Sequence, residues 1–270
     1  MTIHEFFFPA GFGSVGAREA KNGGDCRLSP GESYLVLSGD EHRHLAFAKR
    51  LRVGQQVRIT DGAGSWAICS IEKISSDSSF LKIKETGSAE RELVPVTIIL
   101  SVIKKERMEW AVQKLSELGI SRIRPVMAAR SVVRGSRERL NRQQARYQKI
   151  AVEAMKQSRG SWLTVIEPVA TSVQEAVHAE KDINGGKKVL VPEKGAESLS
   201  LFNLLSAGHS LYPVTVVVGP EGGFTSEEIT FFQDEGAEFV DLGPRILRAE
   251  TAAVVSASAL ALLWHGLSTA

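Results

Sequence analysis

Two short segments of the chain combine glycine and proline with charged side chains in a way that suits the binding of a small molecule. The first, Gly219–Gly223 (GPEGG), follows the uncharged run Val214–Val218, and the second, Gly243–Ala252 (GPRILRAETA), follows Phe239–Leu242. A β-branched run bounded by glycine predicts a strand that is buried on both faces of a parallel sheet. Glycine lets the backbone approach a ligand closely, and proline stiffens the turn. Because ligands bind in the loops beyond the carboxyl ends of such strands, the pair predicts a site lined mainly by main chain.

The first of these turns does not match the patterns that bind nucleotides. A P-loop has lysine and then serine or threonine after its glycines, whereas Phe224 and Thr225 stand there in this chain. The turn does not have the dinucleotide spacing GxGxxG either. A nucleotide-dependent enzyme is therefore the disfavoured alternative.

The overall composition is that of a globular protein. The chain has 270 residues, of which 43% are hydrophobic and 24% charged, which suits one large or two modest domains. Cys26 and Cys69 are far apart, and the amino terminus has no signal-peptide pattern, so we expect a reduced, cytoplasmic setting. The apolar stretch Ala249–Leu267 carries Glu250 and His265, which favours a helix buried in a core or subunit interface over a membrane span.

Charge is distributed unevenly along the chain. Residues 1–159 carry 27 Lys and Arg against 17 Asp and Glu, whereas residues 160–270 carry 6 against 14. Such asymmetry indicates an anionic partner for the first part, with nucleic acid the leading candidate. The alternative is that the basic residues only form solvated helix faces.

The basic residues fall in two clusters, one at His42–Arg52 and one from Arg130 to Arg159. Clustered cations bind phosphate backbones by Coulomb attraction and counterion release. The candidate RNA contacts are Arg43, His44, Lys49, Arg50, Arg52, Arg130, Arg134 and Arg159. His42 and His44 are two residues apart and do not face each other on a helix, and no Cys or Asp cluster accompanies them, so no metal site is expected.

Periodicity divides the chain into two parts with a boundary near residue 90. Residues 33–84 alternate apolar and polar positions in short runs, including Gln56–Thr60, Trp66–Ile74 and Phe80–Lys84, which predicts a small barrel. The polar stretch Glu85–Leu93 is typical of a linker. From Pro95 onward strand and helix patterns alternate, which predicts a mostly parallel α/β sheet.

The predicted elements of this second part are the following. The strands are Val96–Val102, Ile123–Met127 and Val189–Pro192, and the helices are Glu106–Leu118 and Leu140–Gln157. Thr225–Glu228 has capping-box spacing and predicts that a further helix begins there.

Several of these segments together resemble one known family. The two Gly-Pro segments, His44–Gly54, Met108–Gly119 (MEWAVQKLSELG), Arg130–Val132 and Glu153–Arg159 (EAMKQSR) occur in the same order in the RsmE family. These proteins are 16S ribosomal RNA uridine N3-methyltransferases of the SPOUT, or trefoil-knot, superfamily. The resemblance covers about residues 33 to 265, and residues 11–32 look like an insertion.

The resemblance implies an α/β fold in two domains. Residues 1–90 would form a PUA-like β-barrel that binds RNA, and residues 91–270 a SPOUT domain with a carboxyl-terminal trefoil knot. It also implies S-adenosylmethionine as cofactor, a homodimer whose interface completes the active site, and 16S rRNA in the assembled small ribosomal subunit as substrate. The implied cofactor-binding residues are Val191, Pro192, Glu193, Val218, Gly219, Pro220, Glu221, Gly222, Gly223, Leu242, Gly243, Ile246, Leu247, Arg248, Thr251 and Ala252.

Catalytic roles fall on charged residues of the two Gly-Pro segments. Uridine N3 is a poor nucleophile until its proton leaves, so catalysis requires positioning, proton removal and stabilisation of charge on the uracil oxygens. Arg248 or Arg245 is the expected cation, and Glu250 or Glu221 is expected to orient groups or accept the proton. The alternative is that both glutamates only brace their loops by accepting backbone N–H bonds. Two other functions remain open, a non-catalytic RNA-binding assembly factor and a SPOUT methyltransferase with a different RNA target.

Overall fold

The computed structural model describes residues 3–8, 34–131, 137–184, 188–195, 198–201, 203 and 212–268. Arg134 and the predicted insertion at residues 11–32 lie outside this part of the chain. The chain divides into two compact units. The first runs to Glu92 and includes Lys156–Trp162, and the second consists of Leu93–Met155 and the chain from Leu163 onward.

The first unit is built on a five-stranded sheet. The strands are β1 (His4–Phe7), β2 (Tyr34–Ser38), β3 (Gln56–Thr60), β4 (Ser65–Ile74) and β5 (Ser78–Ser88), in the order β1-β3-β4-β5-β2. β1 runs parallel to β3, and the other neighbours are antiparallel. Alternate side chains such as Phe6, Val57, Ile59 and Leu81 point into one apolar core.

Strand β5 is longer than its sequence predicted. The polar run from Glu85 onward was expected to begin a linker, but β5 continues to Ser88 because Glu85–Ser88 pairs with Ser65–Ile68 of β4. Backbone pairing with an existing strand outweighs the low strand propensity of these side chains.

Helix α1 (Gly39–Arg43) leads directly into a π-helical turn, His44–Ala48. Lys49 N–H donates to His44 O at 2.9 Å, and Leu51 N–H donates to Leu45 O at 3.1 Å. Leu45 and Leu51 are buried, so the turn is fixed to the core of the first unit.

Residues Lys156–Trp162 complete the first unit from a distant point in the chain. The indole Nε1 of Trp162 donates to Glu90 O at 2.8 Å. A Cβ on Gly64 would stand 2.5 Å from the Trp162 ring, so only glycine fits beneath it. Lys156 Nζ pairs with Glu41 Oε1 at 2.7 Å, although Lys156 itself is buried.

The second unit contains a parallel sheet with helices on both faces. Its strands are β6 (Val94–Ser101), β7 (Ile120–Val126), β8 (Val165–Ile166), β9 (Val189–Pro192), β10 (Leu199–Ser200), β11 (Val214–Val218) and β12 (Glu238–Asp241). Their order is β10-β12-β9-β11-β6-β7-β8. The helices are α2 (Lys105–Glu117), α3 (Arg137–Ser158), α4 (Val173–Asn184), α5 (Ser226–Asp234) and α6 (Ala249–Ser268). The parallel α/β prediction is confirmed, although α4 had not been predicted.

Successive residues of the central strands serve opposite faces of this sheet. Ile98 and Val216 pack with α2 and α6, whereas Ile99 and Val217 pack with α4 and α5. All five residues of β11 are buried, which explains why its sequence is apolar without alternation.

The apolar stretch at the carboxyl end forms α6, which packs on α2, β6 and β11. Its Ala253, Ala257 and Leu260 are fully buried in the main core, as a helix of this composition was expected to be. Among the described helices, none combines the length and hydropathy needed to cross a bilayer.

Candidate active site

Three loops meet at one edge of the parallel sheet of the second unit. Strands β12, β9 and β11 are direct neighbours in that order, and because they are parallel their carboxyl ends lie at the same edge. The loops that follow them enclose a cavity of about 470 Å³, a volume typical of small-molecule sites. The cavity is lined by Pro192, Glu193, Lys194, Val218, Gly219, Pro220, Glu221, Gly223, Val240, Asp241, Leu242, Arg245, Ile246, Leu247, Arg248, Ala249 and Ala252.

Most of the residues expected to bind a cofactor therefore line a single cavity. Four do not form its wall: Val191, Gly222, Gly243 and Thr251. Val191 is fully buried in β9, and the other three lie in or next to the lining loops. Lys194, Val240, Asp241 and Ala249 line the cavity but were not predicted, and their adjacency to predicted positions was the available signal.

Backbone geometry accounts for two of the glycines in these turns. Gly243 has φ +122°, a conformation that side chains avoid, and its N–H donates to Asp241 Oδ1 at 2.9 Å. A Cβ on Gly219 would stand 3.1 Å from the ring of Phe224, which is buried against Phe232. The first turn is therefore packed closely against Phe224.

Arg130 fixes the first Gly-Pro turn from outside. Its Nη1 donates to Gly222 O at 3.0 Å and to Phe224 O at 3.1 Å. The residue was predicted to contact RNA, and the structure places its guanidinium on the candidate cofactor loop.

The capping box predicted at the start of α5 is present, and its glutamate also contacts the segment after β7. Thr225 Oγ1 accepts from Glu228 N–H at 3.2 Å, and Glu228 Oε2 accepts from Thr225 N–H at 2.9 Å. The second oxygen of Glu228 accepts from Ala129 N–H at 2.9 Å, which ties the segment after β7 to the helix start.

Arg107 of α2 bridges the two glutamates to which catalytic roles were assigned. Its Nη1 lies 3.1 Å from Glu221 Oε1, and its Nε lies 3.6 Å from Glu250 Oε1. Glu250 is buried, and its other oxygen, Oε2, has no hydrogen-bond partner among the described residues. The described contacts of these carboxylates are thus to Arg107 and not to backbone N–H groups. Sequence reasoning missed Arg107, although it directly precedes the segment beginning at Met108.

Charged groups of both signs face the cavity. Arg245 and Arg248 line it and are exposed, so they are free to meet a substrate at its mouth. Lys194 also lines it, and its Nζ donates to Pro244 O. Burial raises the pKa of the Glu193 carboxyl above its usual value of 4.5. A cation bound beside this carboxyl would stabilise its ionised form.

The remaining candidate RNA contacts lie in the first unit. Lys49, Arg50 and Arg52 are exposed after the π-helical turn. Arg43 is also exposed but pairs with Asp40, while His44 is half-buried with its ring against the edge of Phe6. Arg159 is exposed and adopts φ +60° in the Lys156–Trp162 segment.

His42, one of the two histidines weighed as metal ligands, has partners at both ring nitrogens. His42 is buried, with Nδ1 at 2.8 Å from Ser79 Oγ and Nε2 at 3.3 Å from Ser76 O. Within the described ranges no three His, Cys, Asp or Glu side chains are grouped so that they would hold a metal ion.

Comparison with known families matches both parts of the chain. Residues 90–261 match the family described as the RNA methyltransferase domain, and residues 37–84 match the RNA methyltransferase PUA domain. The Bacillus subtilis protein named ribosomal RNA small subunit methyltransferase E is 32% identical over 231 residues, covering 83% of this chain and 88% of its own length. The protein of that name from Mycobacterium bovis is 30% identical over 232 residues, covering 86% and 87%.

Solved structures give the same result for the fold. The ribosomal RNA small subunit methyltransferase E of Neisseria gonorrhoeae, bound to S-adenosylmethionine, superposes with a TM-score of 0.81 at 26% identity, covering 97% of this chain and 98% of that one. A candidate methyltransferase of Legionella pneumophila, in complex with the same cofactor, gives 0.77 at 25% identity, covering 96% and 97%. The predicted fold class, a PUA-like domain joined to a SPOUT methyltransferase domain, is thereby confirmed. By these matches the chain belongs to the RsmE family of RNA methyltransferases.

Proposed function

We propose that this protein transfers a methyl group from S-adenosylmethionine to N3 of a specific uridine in 16S rRNA of the assembled small ribosomal subunit. The observation that carries the proposal is the cavity formed where the three loops after β9, β11 and β12 meet. Both Gly-Pro segments contribute to it, and relatives of the same family are named for methylation of small-subunit rRNA.

The residues around the cavity fit this cofactor. Val218, Leu242 and Leu247 supply apolar wall, and the main chain of the turns supplies hydrogen-bonding groups. The desolvated carboxyl of Glu193 favours a ligand that carries positive charge, as a sulfonium does. When bound, S-adenosylmethionine supplies an electrophilic methyl group for an attacking nitrogen.

The chain's own residues would position the uracil and stabilise its charge. Arg248 and Arg245 are exposed on the cavity wall, where a guanidinium stabilises negative charge on a uracil oxygen as the N3 proton leaves. Glu221 also lines the cavity and is partly exposed, which suits the acceptance of that proton and its release to water. Glu250 is buried beside Arg107, so its role is to orient that guanidinium.

The first unit would supply contacts to the RNA backbone. Its exposed cations bind phosphates without reading sequence, so the choice of target depends on RNA shape and on an unstacked uridine. The excess of positive charge in residues 1–159 lies mainly beyond this unit, since residues 1–92 carry 12 Lys and Arg against 12 Asp and Glu.

A homodimer is part of the proposal. Helix α6 exposes Leu262 by 76% and Val255 by 38%, seven residues apart on one face. Trp110 of the neighbouring α2 is 43% exposed. An apolar face of this kind suits a second copy of the chain, and Leu262→Glu is expected to shift the sedimentation of the protein from dimer to monomer.

One experiment separates the candidate functions. Titration calorimetry measures the binding of S-adenosylmethionine. In parallel, small subunits from a strain that lacks the gene are incubated with the protein and the cofactor, and their rRNA nucleosides are analysed by mass spectrometry. We expect cofactor binding and appearance of 3-methyluridine. RNA binding without cofactor binding would instead support a non-catalytic assembly factor, and a different methylated nucleoside would support another RNA target.

A further inference from the structure

Phe47 is a large aromatic side chain that the first unit leaves in solvent. It occupies the π-helical turn His44–Ala48 and is 62% exposed. Val53, just after the same turn, is 59% exposed. Single exposed apolar residues are common and need no explanation by themselves, so the surroundings of the ring decide its meaning.

The ring of Phe47 stands on a rigid base. The buried His42 ring meets it edge-on, with centroids 5.9 Å apart and an interplanar angle of 82°. Both ring nitrogens of His42 are engaged, by Ser79 and by the Ser76 carbonyl, so His42 is held in place. The two backbone hydrogen bonds that close the turn, from Lys49 and Leu51, fix the other side. A π-helical turn of this kind is frequent at functional sites.

Positive charge around this ring is not neutralised. Lys49, Arg50 and Arg52 are exposed, and none of them forms an ion pair with a carboxylate in the described part of the chain. The two acidic residues of α1, which precedes this turn, are engaged elsewhere, since Asp40 pairs with Arg43 and Glu41 pairs with Lys156.

An aromatic face among unpaired cations is the arrangement that binds single-stranded nucleic acid. Bases stack on the ring, and the cations attract the flanking phosphates. We propose that Phe47 is a stacking platform for one unpaired base of the RNA substrate, flanked by phosphate contacts from Lys49, Arg50 and Arg52. The inference rests on the proposed function and adds to it a specific contact with a single-stranded segment.

The test is fluorescence anisotropy with a labelled single-stranded RNA of about ten nucleotides, titrated at several salt concentrations. Loss of one stacked base weakens binding roughly 5- to 150-fold, so we expect this from Phe47→Ala and from Phe47→Leu. Phe47→Trp keeps an aromatic face and is expected to bind like the wild type. Val36→Ala removes an exposed apolar side chain from β2 of the same unit and serves as the matched control.

Salt dependence distinguishes stacking from charge. Phe47→Ala should leave the slope of log affinity against log salt unchanged, whereas Arg52→Ala should reduce it by about 0.7, the value for one phosphate contact on a single strand. Equal affinity of Phe47→Ala and wild type overturns the inference. A lower free energy of unfolding without loss of RNA affinity also overturns it, because the ring would then serve only the fold.

The failure of this inference can be told apart from failure of the proposed function. The wild type could methylate small subunits although Phe47→Ala binds RNA as well as the wild type does. That result would remove only the stacking platform. Conversely, RNA affinity could depend on Phe47 although the protein neither binds S-adenosylmethionine nor transfers a methyl group. That result would remove only the methyltransferase assignment.

Discussion

The guanidinium of Arg107 and the carboxylate of Glu221 are hydrogen-bonded at 3.1 Å, although 114 positions separate them in the chain. The same guanidinium also reaches Glu250 at the start of α6. One side chain of α2 therefore links the first Gly-Pro turn to the end of the second Gly-Pro segment. Since Glu221 lines the cavity, this link holds one wall of the candidate cofactor site against another element.

Replacement of Arg107 by alanine is expected to weaken cofactor binding and also to lower stability, because it leaves the buried carboxylate of Glu250 without its described partner. A charge-assisted hydrogen bond contributes about 1.5–3 kcal/mol, so we expect an affinity loss of roughly tenfold or more for S-adenosylmethionine, measured by calorimetry. Arg107→Lys keeps the charge but loses the two-sided contact and should recover part of the affinity. Glu250→Gln should have a milder effect because it leaves no unpaired buried charge.

The control for Arg107 lies on the same helix. Lys105 is exposed, and its Nζ lies 4.0 Å from Glu109 Oε1. A surface pair of this kind contributes little to stability, so Lys105→Ala should bind the cofactor normally. Equal cofactor affinity in Arg107→Ala and Lys105→Ala would remove Arg107 from the site.

Arg248→Ala is expected to slow methyl transfer strongly while largely sparing cofactor affinity. The residue is exposed, so its removal should change the free energy of unfolding by less than about 0.5 kcal/mol. Loss of one donor that stabilises developing negative charge slows a reaction by about 10²–10³. Single-turnover methylation of small subunits measures the rate, and Arg245→Ala, made in parallel, shows which arginine supplies the cation. Full activity of Arg248→Ala would reject its role.

Two glycines with left-handed backbone offer a matched pair of substitutions. Gly243 (φ +122°) lies in the second Gly-Pro segment, and Gly236 (φ +69°) follows α5, and at either position a Cβ would have no neighbouring atom within 4 Å. Each alanine substitution strains the backbone by about 1–3 kcal/mol, which urea unfolding measures. We expect only Gly243→Ala to lower the affinity for S-adenosylmethionine as well. A loss of the same size in Gly236→Ala would attribute the effect to general destabilisation.

Cofactor affinity is expected to depend on pH through Glu193. Burial raises the pKa of this carboxyl above 4.5, so its contribution to stability is fully present below pH 4.5 and is lost as pH rises through the folded pKa. The ionised form is the one that attracts a sulfonium. The affinity for S-adenosylmethionine should therefore fall as pH decreases through the raised pKa, and Glu193→Gln should flatten this dependence. Calorimetry across that pH range measures the affinity. The product S-adenosylhomocysteine, which lacks the sulfonium charge, serves for comparison. An unchanged pH profile in Glu193→Gln would contradict the assignment.

Local sequence was sufficient for elements whose residues interact with near neighbours. Val214–Val218 was predicted as a doubly buried strand from its own composition, and the structure buries every residue of it. Thr225 and Glu228 are three positions apart, so their spacing alone predicted the capping box that the hydrogen bonds confirm. Such features depend on backbone periodicity, which a short window of sequence contains.

Elements stabilised by distant partners were predicted less well. The end of β5 was assigned to a linker because its strand character comes from pairing with β4 and not from its own side chains. The return of Lys156–Trp162 to the first unit depends on Gly64 and Glu90, to which no periodicity in that segment points.

The sequence by itself predicted most of the residues that line the candidate cavity, because glycine, proline and charged residues stand at fixed spacing after two apolar strands, but it did not predict Lys194 or Asp241. Tertiary structure decided which of those residues face the cavity and what holds them there. The order β12-β9-β11 brings the three loops together, and the packing of α2 brings Arg107 to Glu221 and Glu250. Strand order is set by pairing between segments that lie far apart in the chain, a long-range property that no local pattern of side chains contains.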